Sequence, residues 1–134
     1  MFKAPVLNVL PYIGLPFRLN GRTFTGIDCY GLVLLFYDLE FGIPLKDFTY
    51  FNAETMAKAF ESASSTSDWV EVKEHRPGDV VVLRSGPWPC HCGIVIDGNR
   101  FLHAHDGACS SLARLDSGMW KCRITGYYRH AKRQ

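Results

Sequence analysis

The sequence has no long apolar run, no marked excess of one charge and no regular spacing of cysteines. Its longest apolar stretch, residues 31–37, is far too short to span a bilayer, so we expect no membrane insertion. The first residues lack the charged, apolar and small-residue regions of a secretory signal, which indicates synthesis in the cytoplasm. A net charge of +2, with Lys and Arg dispersed along the chain, gives no indication of nucleic-acid binding.

The five cysteines form an odd set without the spacing of a disulfide framework. In a chain without a secretory signal, this pattern favours a catalytic thiol, free thiols or metal ligands. The length of 134 residues and an ordinary apolar content suit one domain with its own core. Neither a linker nor a repeat interrupts residues 1–134, so we expect a single domain.

The order of local patterns predicts an α+β fold. Residues 1–27 are rich in Pro and Gly and should form an extended or looped segment. The apolar segment 29–41, with Asp28 before it and Gly42 after it, indicates a buried helix, and 52–63 indicates a second helix. Period-two patterns then predict an antiparallel meander of five strands: 69–72, 79–83, 92–96, 100–104 and 123–129.

Cys29 occupies the first turn of the first predicted helix. The unpaired backbone N–H groups and the positive end of the helix dipole lower the pKa of a thiol there and favour the nucleophilic thiolate. A cysteine in an apolar helix is also typical of an inert core thiol. The position of Cys29 alone therefore leaves both interpretations open.

His91 and His103 can supply the base and the orienting group that a cysteine nucleophile needs. They flank two apolar segments joined at Asp97 and Gly98, which indicates a hairpin. A three-residue loop ending in a left-handed Gly98 would place the two histidines directly opposite each other, whereas a two-residue turn would place them on opposite faces. A histidine pair therefore requires an odd loop or a bulge. His105, two residues further along the same face, competes with His103.

Three stretches resemble the NlpC-type papain-like peptidoglycan cysteine peptidases, especially the version found beside phage tail genes. They are Asp-Cys-Tyr-Gly-Leu-Val at 28–33, Arg-Pro-Gly-Asp-Val at 76–80, and His-Cys-Gly-Ile-Val-Ile at 91–96 followed by Phe-Leu-His-Ala at 101–104. Their order and spacing hold across most of the chain. The resemblance implies a papain-like α+β fold in which N-terminal helices pack on a small antiparallel sheet.

The same resemblance implies that Cys29 is the nucleophile, His91 the general base and His103 the orienting residue. It implies hydrolysis of the bond between γ-D-glutamate and a diamino acid in peptidoglycan stem peptides, without a cofactor. Asp28 would cap the helix and help to hold a substrate amino group. The backbone N–H of Cys29 would be one oxyanion donor.

The phage version of the family further implies a component of a phage tail tip that acts during cell-wall penetration. Such a protein would be made in the bacterial cytoplasm and would act in the periplasm or cell wall. Its partners would be the stem peptide and tail-tip proteins. The alternative is a structural or assembly protein of the tail with weak or no hydrolase activity.

Aromatic side chains are predicted to contact the substrate. Phe17 stands where relatives often carry a tyrosine or tryptophan, so a second oxyanion donor would have to come from Tyr12 or Tyr30. Tyr30 and Trp88 are also candidates for substrate contact, Trp88 because it falls in a loop expected over 86–89. Further aromatic candidates for the groove are Trp120, Tyr127 and Tyr128.

A zinc site is the rival interpretation, because six soft ligands occur close together: Cys90, His91, Cys92, His103, His105 and Cys109. Neighbouring residues of a strand face opposite ways, so one metal cannot readily take ligands from three consecutive positions. A site behind the cleft, built from Cys92, His105 and Cys109, is the remaining form of this alternative.

Overall fold

The structure is a computed structural model that describes residues 7–134, so the first six residues of the expected 1–27 loop lie outside it. The helices of the described part are α1 (Cys29–Phe36) and α2 (Ala53–Ser64). Its strands are β1 (Arg22–Thr23), β2 (Gly26–Ile27), β3 (Trp69–Val72), β4 (Val80–Ser85), β5 (Trp88–Val95), β6 (Arg100–His103), β7 (Ser111–Arg114) and β8 (Ile124–His130).

Six of these strands form one antiparallel sheet in the order β3-β8-β4-β5-β6-β7. The predicted α+β class is confirmed, but the predicted five-stranded meander is wrong in two respects. The last strand, β8, lies between β3 and β4 rather than beside its predecessor. The edge strand β7 is an additional element. It has only four residues, and because they are half-buried or exposed, the sequence pattern does not predict a strand there.

The first helix is confirmed, with a change of geometry in its second half. The Asp28 carboxylate accepts the Gly31 N–H at 2.8 Å and so caps the first turn. After α1 the chain continues as a π-helical turn, Tyr37–Phe41, and ends at Gly42 with φ of 64°. Apolar residues around most of its circumference let the helix lie buried against the sheet.

The second helix is also confirmed. Asn52 and Thr55 form a capping box at its start, in which each side chain pairs with the other residue's backbone N–H. One face of α2 is buried through Met56, Ala57 and Phe60. Neither α1 nor α2, nor any other helix among residues 7–134, is long and apolar enough to cross a membrane.

Two apolar layers cover the two faces of the main sheet. The larger layer joins the helices and the N-terminal segment to one face, and it includes Cys29, Cys90 and Cys92. The smaller layer covers the other face and consists of Val81, Leu83, Val95, Phe101, Leu115 and Trp120. Strand β5 runs between the layers, so its successive side chains face different surroundings.

The hairpin of β5 and β6 closes through a three-residue loop, residues 97–99, which confirms the predicted odd loop. The Ile96 N–H donates to the Arg100 carbonyl at 2.9 Å. The Asp97 carboxylate accepts the N–H groups of the two residues after Gly98, at 3.0 and 2.9 Å. This side chain closes the loop without a left-handed residue, so the expected positive φ at Gly98 is wrong.

The register of the hairpin differs by two residues from the predicted one. Ile94 pairs with Leu102, and continuation of that register puts His103 opposite Gly93 rather than directly opposite His91. A shift of two residues keeps both histidines on the same face. A Cβ at position 93 would lie 2.7 Å from the Leu102 carbonyl oxygen and 3.2 Å from the Cβ of His103, so only glycine leaves this space.

Gly31 lets α1 pack closely against the N-terminal segment. We predict that Gly31→Ala destabilises the protein by about 1 to 3 kcal/mol. The added Cβ would overlap the Gly21 carbonyl oxygen and would lie 3.0 Å from Ile27 Cγ1 and 3.1 Å from Arg22 Nη1. Urea denaturation would measure the change. Gly98→Ala is the matched control, because open space surrounds that position. Equal stability of the two variants would contradict the close packing of α1.

Candidate active site

A cleft of about 250 Å³ opens beside the N-terminus of α1. Helix α1 contributes Cys29, β5 contributes His91, and the chain leaving β6 contributes His105. The complete lining consists of Phe17, Cys29, Met56, Ser85, Cys90, His91, Ala104, His105, Asp106, Trp120 and Arg123. The thiol and the imidazole expected to act on substrate therefore share one opening.

His91 and His103 are directly hydrogen-bonded, with 2.8 Å between Nε2 of His91 and Nδ1 of His103. Their ring centroids are 5.1 Å apart, and both side chains are buried. His105 stacks on His103 with centroids 5.0 Å apart, but it does not replace it beside the His91 Nε2. With that nitrogen engaged, Nδ1 of His91 is the ring atom left for the thiol.

Burial lowers the pKa of His103 to about 3, and the neighbouring positive charges that His91 and His105 can carry act in the same direction. His103 is therefore neutral at any pH where the protein would work. When His91 carries a second proton, its Nε2–H must donate, and the neutral His103 accepts at Nδ1. The hydrogen bond between the two rings can therefore keep the His91 ring in one orientation while His91 gains or loses a proton.

The Cys29 thiol is the acidic member of a buried cluster of thiols. A hydrogen bond from Cys92 lowers its pKa to about 5, burial opposes this shift, and the hydrogen bond with His91 adds to it. Burial raises the pKa of Cys92 well above 9.0, so Cys92 stays protonated and acts as the donor. In its protonated form, Cys29 donates its S–H to the carbonyl oxygen of Cys90 at 3.9 Å. Of the three thiols Cys29, Cys90 and Cys92, only Cys29 therefore has a lowered pKa.

Asp28 is completely buried beside this thiol. One carboxylate oxygen accepts from Gly31 N and Arg22 Nη1, at 2.8 and 2.9 Å. The other accepts from Asn20 N and the Tyr50 hydroxyl, both at 2.7 Å. The capping role expected of Asp28 is confirmed. Its oxygens face the protein's own donors, and Asp28 is not among the residues that line the cleft, so its contact with a substrate amino group stays a prediction.

Phe17 lines the cleft, as expected for a residue of its wall. The two tyrosines considered as oxyanion donors are directed elsewhere. The Tyr12 hydroxyl donates to Glu40 Oε2 at 2.7 Å, and the Tyr30 hydroxyl donates to the Lys46 carbonyl at 2.6 Å. Neither ring lines the cleft, and both belong to the larger apolar layer.

Trp88 is the first residue of β5 and not part of a loop, so the loop expected over 86–89 is wrong. Gly86, with φ of 62°, makes the turn together with Pro87 and lets β4 and β5 pair as far as Ser85 and Trp88. Trp88 is partly exposed but does not line the cleft that holds Cys29.

Sequence reasoning overlooked several residues of the cleft: Met56, Ser85, Asp106 and Arg123. They come from four separate segments, and none belongs to a motif. The sequence indicates Trp120 only as one of several aromatic candidates for the groove. The tertiary structure places its ring against His91, which no local pattern in the sequence indicates.

The ligands that the zinc alternative requires do not converge in the described part of the chain. Among residues 7–134, no group of three His, Cys, Asp or Glu side chains converges in a way that could hold a metal ion. Cys90 and Cys92 lie in the layer beneath the helices, and Cys109 is exposed.

Two curated relatives are similar to this chain over most of its length. The murein DD-endopeptidase MepS/murein LD-carboxypeptidase of Escherichia coli K12 is 32% identical over 120 residues, which are 90% of this chain and 56% of that protein. The gamma-DL-glutamyl hydrolase of Bacillus subtilis is 28% identical over 121 residues, which are 88% of this chain and 27% of that protein. The chain thus spans about half, or less, of these relatives.

A solved structure is also similar to this chain. A lipoprotein-like protein of the NLP/P60 family from Staphylococcus aureus superposes with a TM-score of 0.65 at 26% identity, over 90% of this chain and 38% of that one. The papain-like fold is therefore shared. Residues 14–129 match the NlpC/P60 family, and the chain belongs to that family.

Proposed function

We propose that this chain is a cysteine peptidase that hydrolyses peptide bonds of peptidoglycan. One observation carries the proposal: Cys29, at the N-terminus of a helix, shares a cleft with His91, whose Nε2 is hydrogen-bonded to His103 at 2.8 Å. These are the three roles that thiol hydrolysis needs, namely a nucleophile, a base and a group that orients the base. Relatives named as murein or peptidoglycan endopeptidases support the choice of substrate.

In the first step, the thiol proton of Cys29 has passed to His91, and the resulting thiolate attacks the carbonyl carbon of the scissile bond to form a tetrahedral intermediate. The developing oxyanion is stabilised by the backbone N–H of Cys29, because the first turn of α1 has no preceding carbonyl to accept it. His91 then gives its proton to the leaving amine. The C–N bond breaks, and a thioester on Cys29 remains.

In the second step, a water molecule replaces the departed amine. His91, now neutral, accepts a proton from this water, and the resulting hydroxide attacks the thioester carbonyl. The C–S bond breaks, the acid product leaves, and the His91 proton restores the starting pair. His103 keeps the His91 ring in place during both transfers.

We further propose that the bond cleaved joins γ-D-glutamate to a diamino acid. In such a peptide, a free α-carboxylate stands close to the scissile bond. The cleft offers a guanidinium at Arg123 for that carboxylate and a carboxylate at Asp106 for an amino group. The relative named gamma-DL-glutamyl hydrolase supports this choice, whereas the relative named murein DD-endopeptidase supports a different bond.

Cys29→Ala should abolish hydrolysis, with a loss of at least about 1,000-fold, because burial raises the pKa of Cys90, the other thiol that lines the cleft, and disfavours its thiolate. Two substrates would be compared, a γ-D-glutamyl-diaminopimelate peptide and a muropeptide cross-linked through D-alanine. Release of amino groups gives the rate, and mass spectrometry of the products locates the bond. We expect cleavage of the first substrate.

Cys109→Ala is the matched control, because Cys109 is an exposed thiol outside the cleft and its loss should leave the rate unchanged. Hydrolysis that survives in Cys29→Ala would overturn the mechanism. Cleavage of the cross-linked substrate alone would overturn the choice of bond. A folded wild-type protein without activity on either substrate would favour an assembly role.

We also propose that the chain is made in the bacterial cytoplasm and carried on a phage tail tip to the periplasm or cell wall, where tail-tip proteins hold it. Support comes from the likeness of its motifs to the phage-associated version of the family. Mass spectrometry of purified phage particles should then detect the chain, with immunogold labelling at the tail tip. Its absence from particles that infect normally would contradict this proposal.

A further inference from the structure

Trp120 is the largest side chain in contact with the histidine pair. Its ring is stacked on His91 at 26°, with centroids 5.4 Å apart. It also meets His103 nearly edge-on, at 87° and 4.8 Å. One indole therefore touches both partners of the hydrogen bond between the histidines.

The position of Trp120 is fixed by its packing on the sheet face away from the helices. It is only 9% exposed and belongs to the smaller apolar layer, where it meets Phe101 edge-on at 6.0 Å. Its backbone N–H donates to the Ser117 carbonyl at 3.2 Å, just before the 3₁₀ turn Lys121–Arg123. The indole is thus anchored in the core while its other side lines the cleft.

The stacked arrangement suits both charge states that His91 passes through during turnover. A protonated imidazole over an indole face gains a cation–π attraction, which is favourable at centroid distances up to about 6 Å. The indole covers part of both rings, where water would otherwise compete for their hydrogen bond. Trp120 therefore acts on the reaction through the histidines rather than by touching the substrate's reacting atoms.

Other charged and titratable groups around the pair are few and come from three directions. Cys29 faces His91 from α1, and His105 stacks on His103 from the chain that follows β6. Asp106 lines the same cleft, and the Arg123 guanidinium lies 5.5 Å from the centre of the indole.

We propose that Trp120 is a positioning residue of the peptidase, which holds the His91 ring against His103 and keeps water from their hydrogen bond. The inference rests on the proposed function, because it assigns a role within that reaction. It adds a fourth side chain to the three that the mechanism uses.

Trp120→Leu tests the proposal, since leucine fills apolar space but cannot stack. We expect kcat to fall about tenfold while KM changes less than about twofold, because the loss affects positioning rather than substrate binding. In histidine NMR titrations, the pKa of His103, which burial lowers to about 3, should rise toward 6.5 as water reaches the ring. Trp120→Phe, which keeps an aromatic face, should retain most of the wild-type kcat.

Trp69→Leu is the matched control, because Trp69 packs against Tyr37 and His130, away from the cleft. It should lower thermal stability without changing kcat or the His103 titration. If Trp120→Leu behaves like this control, the role of Trp120 is purely structural and the proposal is overturned. If the wild type cleaves no peptidoglycan, the proposed function fails, yet the His103 titration still decides whether Trp120 shields the pair.

A measurement on the wild type covers the case in which Trp120→Leu does not fold. The proton between His91 Nε2 and His103 Nδ1 should give a downfield NMR signal with slow exchange against water. Slow exchange supports the proposal that Trp120 keeps water from this hydrogen bond. Exchange as fast as that of an exposed imidazole overturns it.

Discussion

The buried carboxylate of Asp28 is the interaction on which the arrangement of the site depends. It accepts from Gly31 at the start of α1, from Asn20 and Arg22 in the N-terminal segment, and from Tyr50 ahead of α2. Three separate segments are therefore tied to one side chain. A buried charge left without these donors would cost several kcal/mol, so the helix N-terminus cannot move without breaking the whole set.

The same carboxylate opposes the thiolate, because its negative charge raises the pKa of the adjacent Cys29, although by less than burial does. Arg22 lies 2.9 Å from Asp28 and offsets that charge. The Cys92 thiol and His91 then favour the thiolate directly. A structural cap and a nucleophile can occupy neighbouring positions only because these partners surround them.

Local chemistry made much of this architecture predictable. Asp28 and Gly42 mark the ends of the first helical segment, and the spacing of His91 and His103 required the odd hairpin loop that the structure contains. Long-range placement was not predictable in the same way. The insertion of β8 within the sheet and the stacking of Trp120 on His91 join residues far apart in sequence, and no periodic pattern encodes such contacts.

The rate of alkylation of Cys29 by iodoacetamide as a function of pH tests most directly whether this fold prepares a thiolate. Mass spectrometry of the peptide that contains Cys29 would follow its modification separately from the other thiols. Since only the thiolate reacts, we predict a rate that rises with pH. The rate should reach half of its maximum at a pH of about 5 and then level off at the maximum. A half-maximum near 9.0, the value of an ordinary thiol, would contradict the central claim.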